Sequence, residues 1–144
     1  EKITSSDSET AAKLYELASV QLRKRLYPQA TVSLKKALKQ IKDEPSDAKA
    51  ILENALGFSC AAQDKFEEAI THYEKAIKAK SEYPVALNNL AFAKQKLLRE
   101  DEAFEIYQNV LKIDPKNKTA KKQAERMGKR RKNTSSNIIY KKGF

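Results

Sequence analysis

ILENALGFSCAAQDKFEEAITHYEKAIKAK, residues 51–80, is followed at a spacing of 34 residues by an ungapped second version of its pattern, VALNNLAFAKQKLLREDEAFEIYQNVLKID, residues 85–114. Leu56-Gly57 pairs with Leu90-Ala91, Ala69 with Ala103, Tyr73 with Tyr107, and Ala76 with Val110. A weaker copy, AKLYELASVQLRKRLYPQATVSLKKALKQI, occupies residues 12–41. There Leu17-Ala18 takes the first slot, and Ala30, Leu34 and Ala37 take the later ones. Ala30 precedes Ala69 by 39 residues, so the link around Asp43-Glu44-Pro45-Ser46 is five residues longer than the next one. A fixed period of this length means stacked structural units, none of which buries its apolar face alone.

The order Leu-Gly, then Ala-x3-aromatic-x2-Ala, then Pro resembles the tetratricopeptide repeat, with Pro115 in the last slot. The resemblance covers residues 11–117 and implies an all-α solenoid of three helix-turn-helix repeats. Small side chains at Gly57, Ala91, Ala69 and Ala103 belong where two helices cross closely, and Tyr73 and Tyr107 fill space toward the next repeat. The pattern predicts helices over 9–24, 27–41, 47–62, 66–79, 84–97 and 100–112. Polar links holding Asp64, Glu100-Asp101 and Asp114-Pro115 separate them. The repeats are drawn as 9–42, 47–80 and 84–115, after a flexible start at 1–8. Ala120, Ala124 and Met127 form one apolar stripe, which predicts a basic capping helix over 116–131. Residues 132–144, KNTSSNIIYKKGF, read as an irregular basic tail.

Composition agrees. Hydrophobic residues make up 40% of 144, with three Gly and four Pro, which disfavours a turn-rich β chain. No run of 18 apolar residues is present to span a membrane. The first residue is Glu1, so an upstream anchor or targeting segment is expected to be missing. One cysteine excludes an internal disulfide and points to a reducing compartment. The net charge of +10 is uneven: residues 1–115 carry 18 basic and 18 acidic side chains, and residues 116–144 carry 11 basic ones against Glu125. The array is neutral, and all of the excess lies in the last segment.

Little here supports catalysis. His72, flanked by Thr71 and Tyr73, reads as a solvated helix residue, and Cys60 as a buried inert thiol. Glu67-Glu68 and Glu100-Asp101-Glu102 fall at helix starts, where acidic side chains complement the helix dipole. No phosphate loop or metal-ligand spacing is found, so no enzyme, cofactor or metal is expected. Asn133-Thr134-Ser135 fits a glycosylation acceptor only by chance in a reducing compartment.

What remains is surface. In the tetratricopeptide family the first helix of each repeat lines a concave groove that holds a peptide or a partner's helix. Carried over by position, the groove presents Tyr15, Ser19, Asn54, Phe58, Asn88, Asn89 and Phe92. Exposed aromatic side chains mark binding sites, and Asn offers a peptide backbone both donor and acceptor. The competing reading makes Phe58 and Phe92 plain core. The repeat domains that hold chaperone C-terminal tails use a clamp of Lys, Asn, Asn, Lys and Arg. Here the matching positions hold Tyr15, Ser19, Ala55, Val85 and Asn89, and no cation is among them, so a chaperone tail is rejected as the ligand.

YELASVQLRKRLYPQA, NALGF, YEKAIKAKSEYPVALNNLAFA and YQNVLKIDPKNKTAKK together resemble the photosystem I assembly tetratricopeptide proteins of cyanobacteria and plastids. That resemblance implies a scaffold that helps a membrane complex assemble, in contact with its subunits or with other assembly factors. It would sit in the plastid stroma or cyanobacterial cytoplasm at the thylakoid surface, behind an N-terminal anchor. Ala18 and Ala91 depart from the family's Gly, and NTSSNIIYKKGF matches nothing in it. The alternative is a general cytoplasmic adaptor or a nucleic-acid-associated protein. Lys121, Lys122, Arg126, Lys129, Arg130, Arg131 and Lys132 are a dense basic patch suited to nucleic acid or an anionic membrane surface. Stacking aromatics are missing within it, which weakens the nucleic-acid reading. Ile138, Ile139 and Tyr140, followed by Lys141 and Lys142, are expected to dock on a partner protein.

Overall fold

The computed structural model describes the backbone of residues 5–142 and the side chains of residues 8–133. Seven α-helices account for it: α1 (Ser5–Arg23), α2 (Tyr27–Lys39), α3 (Asp47–Ala62), α4 (Phe66–Ala79), α5 (Pro84–Lys96), α6 (Glu100–Ile113) and α7 (Lys118–Lys142). Each packs on its neighbour in sequence, and α3 also touches α5 across one repeat. Three core clusters follow one another along the array. Leu34, Ala37, Leu52 and Leu56 join α1, α2 and α3. Cys60, Ala69, Tyr73, Leu90 and Ala93 join α3, α4 and α5. Leu87, Ala91, Tyr107, Ala120 and Met127 join α5, α6 and α7. Ile77 and Ile106 pack against both of the last two clusters and make them continuous.

The repeated slots have repeated causes. Ala30, Ala69 and Ala103 are fully buried at the close crossings. Leu56 is 1% exposed because it packs back onto the preceding repeat, whereas Leu17, in the same slot of α1, is 48% exposed. Each repeat turns between its two helices through one residue with positive φ: Arg25 at 62°, Asp64 at 60° and Leu98 at 61°. At each turn the next N–H reaches back five residues, as in Lys65 N–H to the Cys60 carbonyl at 2.9 Å. That left-handed closure is usually a glycine's work. No glycine marks it here, and the sequence reading missed it.

Three expectations need correction. α1 begins at Ser5, inside the stretch expected to be flexible, and residues 1–4 lie outside the described residues. The residue types Ser5, Ser6, Asp7 and Glu9 are ones that favour a helix start. α7 does not stop at 131 but continues to Lys142 through the segment read as irregular. Asn133, Thr134, Ser135, Ser136 and Asn137 are only modest helix formers, and no Pro or Gly breaks the run before Gly143. His72 is not a solvated residue. Its Nδ1 lies 3.1 Å from Oε1 of Glu53, with the His72 side chain 18% and the Glu53 side chain 4% exposed.

Candidate functional site: the face of the first helices

α3 and α5 present adjoining faces, and their side chains meet. The Asn89 amide donates to Oδ1 of Asn54 at 3.0 Å, tying α5 to α3. Tyr83, just before α5, lies near Asn54 of α3 and Tyr15 of α1. Burial, foremost, pushes the Tyr83 hydroxyl above its usual range. Lys80 Nζ stands 5.4 Å from the centre of the Tyr83 ring. Sequence reasoning missed Tyr83 because it precedes a helix rather than lying on one.

Phe58 is 46% and Phe92 49% exposed, each 34 residues from the other. Neither belongs to the core, so the competing reading of these two as buried packing residues does not hold. Lys96 Nζ stands 5.4 Å from the centre of the Phe92 ring. Tyr15, Ile51 and Val85 are also exposed on these helices. The face therefore alternates apolar anchors with amide groups. Ser19 contributes less than expected: its Oγ donates to the Tyr15 carbonyl at 2.9 Å, within its own helix.

Asn88 also ties α5 to the segment that follows α6. Its amide donates to Oδ1 of Asn117 at 3.0 Å. The same oxygen accepts the Ala120 N–H at 3.0 Å and so caps α7. The Asn117 amide in turn donates to Asp114 at 3.2 Å. Asn88 thus fastens the cap helix, and its Oδ1 is buried without a hydrogen-bond partner among the described residues. The partner lies 29 residues away, out of reach of any local pattern.

On α7, Ala120 and Met127 are buried and Ala124 packs beside them, as the stripe requires. Arg131 is paired with Asp101, and its guanidinium lies 4.4 Å from the centre of the Phe104 ring. It holds α7 against α6 and is not a free contact. Arg126 bonds Gln123. Lys121, Lys122, Lys129, Arg130 and Lys132 are exposed. The side chains of Ile138, Ile139, Tyr140, Lys141 and Lys142 lie outside the described residues. Cys60 is buried, and burial raises its thiol pKa first, with Glu68 adding to the rise. Among the described residues no cluster of His, Cys, Asp and Glu is arranged to hold a metal, and no helix is long and apolar enough to cross a membrane.

The tetratricopeptide-repeat profile matches residues 9–82, and a second form of it matches residues 84–117. The chain belongs to the tetratricopeptide-repeat family. This tetratricopeptide protein is 35% identical over 121 residues to the chloroplastic tetratricopeptide repeat domain-containing protein PYG7 of Arabidopsis thaliana, covering 84% of this chain and 40% of that one. It is 37% identical over 107 residues to protein ycf37 of Cyanophora paradoxa, covering 74% and 62%. The chain therefore spans about two-fifths to three-fifths of the length of these relatives. In fold it is similar to the first repeat domain of Spaghetti (RPAP3) bound to an HSP90 peptide, with a TM-score of 0.76, 20% identity, and coverage of 85% and 93%. It is also similar to the OM64 repeat domain of Arabidopsis, with a TM-score of 0.77, 20% identity, and coverage of 85% and 98%. Tetratricopeptide repeats are protein-interaction modules, and PYG7 is a chloroplastic protein.

Proposed function

We propose that this protein is a non-catalytic scaffold that helps photosystem I assemble, working at the stromal or cytoplasmic surface of the thylakoid. The observation that carries the reading is the pair Phe58 and Phe92, half-exposed at equivalent positions, each about one helical turn beyond the Asn54–Asn89 hydrogen bond. Two aromatic anchors beside paired amides suit a peptide or helix from a membrane-complex subunit, or from another assembly factor. The likeness to plastid tetratricopeptide proteins supports the choice of complex. The positions of the chaperone-tail clamp remain without a cation, and Ala55 there is buried.

The test is a pull-down of photosystem I subunits from solubilised thylakoids, with circular dichroism alongside. Phe58→Ser with Phe92→Ser should abolish capture and leave helix content unchanged, since exposed substitutions typically shift stability by only about 0.5 kcal/mol. Full capture by the double variant would overturn the reading. The exposed lysines of α7 support a second contact, with an anionic membrane surface or, less well, with nucleic acid. Salt should weaken that contact and spare the groove.

A further inference from the structure

The one long link of the array builds a cavity. A space of about 720 Å³ lies between α2, the α2–α3 link, α3 and α4. The extra residues of the link supply Lys42, Asp43, Glu44 and Pro45 to its wall. Lys35 and Lys39 come from α2, Lys49 from α3, and Lys75 and Lys78 from α4. Leu38, Ile41 and Leu56 give the wall an apolar side. His72 and Glu53, bonded to each other, also line it.

Charge is concentrated there. Six lysines face Asp43, Glu44 and Glu53, inside an array whose first 115 residues sum to zero. Lys49 is paired with Asp43, and its hydrogen bond, foremost, holds that carboxyl below its usual range. Among the described residues no ion pair joins Lys35, Lys39, Lys42, Lys75 or Lys78 to a carboxylate. Like charges gathered from three helices and a link repel one another, and an anion between them removes that repulsion. Each ammonium offers three donors on a flexible stem, which suits a phosphate approached from several sides. The volume falls within the range of small-ligand sites, which commonly span about 300–1,000 Å³.

We propose that this cavity binds a phosphate-bearing ligand whose neighbouring apolar part rests on Leu38 and Ile41. A free organic phosphate and the headgroup of an anionic phospholipid share that chemistry. The site is separate from the face of the first helices, so it stands or falls independently of the scaffold reading.

The test uses the intact chain and amide chemical shifts. It is titrated with inorganic pyrophosphate, with phosphatidylcholine vesicles, and with phosphatidylcholine vesicles containing phosphatidylglycerol. Shifts centred on residues 39–49 and 72–79 are expected with pyrophosphate if the source is a free phosphate, and only with phosphatidylglycerol vesicles if it is a lipid. Lys42→Gln with Lys75→Gln should weaken binding by about tenfold or more, since each charged hydrogen bond is worth roughly that factor. Lys121→Gln with Lys122→Gln, which removes the same charge from α7, should leave it unchanged. No shift with any probe, shifts centred on α7, or equal weakening by both double variants would overturn the proposal.

Discussion

A β-carbon placed on Gly57 would stand 2.4 Å from Cε1 and 2.5 Å from Cδ1 of the Tyr73 ring. The two residues face each other where α3 crosses α4, and Tyr73 is 2% exposed, with little room to retreat. Gly57→Ala should therefore cost about 1–3 kcal/mol, the usual penalty of overpacking. Thermal melts of Gly57→Ala, Tyr73→Leu and the double variant would check it. The double variant should be less damaged than the two single costs added together, because the smaller side chain frees the space. Strict additivity would mean that the pair does not touch.

The α3–α4 pair was the most legible part of the chain. Its helices occupy 47–62 and 66–79, as read from the slots around Gly57, Ala69 and Tyr73. Those slots are local, recur at a fixed spacing, and admit few residue types, so pattern alone places them. The groove was legible only in part. Phe58 and Phe92 follow from helix position, but the bonds from Asn88 to Asn117 and from Glu53 to His72 join residues far apart in sequence. The reach of α7 was missed for another reason: the run of Asn, Thr and Ser from 133 to 137 is made of weak helix formers and reads as loop.

The three positive-φ turns carry side chains that disfavour that conformation to different degrees. Asp tolerates it, whereas Leu98, which is 84% exposed, gains no packing in return. Leu98→Gly should stabilise the chain by up to about 1 kcal/mol, the left-handed penalty less the entropy of the added glycine. The melting temperature should rise by roughly 2–4 °C, as expected at this size. Asp64→Gly should change it less. A fall for Leu98→Gly would show that its side chain contributes more than its backbone strain costs.

Alkaline pH should unfold the protein through its buried tyrosines. Burial, foremost, pushes the Tyr107 hydroxyl up to about 12, and Tyr73 is raised in the same sense. A group whose folded pKa is raised keeps its contribution below the unfolded value, about 10 for tyrosine, and loses it as pH climbs through the folded value. Stability should thus be level up to about pH 10 and fall toward 12. Tyr107→Phe loses the 2.7 Å bond to Gln95 and should be weaker at neutral pH, yet its stability should fall less steeply above pH 10. Denaturant melts across that range would show the difference, and parallel curves would contradict it.

Ending the chain at Gly128 removes Lys129, Arg130, Arg131, Lys132, Lys141 and Lys142 and no acidic residue. Ala120, Ala124 and Met127 stay, so the repeats should remain folded. The lost contacts of Arg131 with Asp101 and Phe104 are partly exposed and should cost about 1 kcal/mol in all. Binding that depends on the basic segment should weaken, and what remains should respond less to salt. Full-strength binding by the shortened chain at every salt concentration would make the segment a passive cap.

Asn88 and Asn89 are neighbours in sequence that pull in opposite directions. Asn89 reaches back to Asn54 in the second repeat, and Asn88 reaches forward to Asn117 at the start of α7. α5 is thereby a crossbeam braced from both sides. It cannot roll about its axis without releasing one brace, so the backbone that carries the exposed Phe92 is fixed in place. A partner that docks on the proposed groove would meet a surface already set and would not spend its own contacts in shaping it.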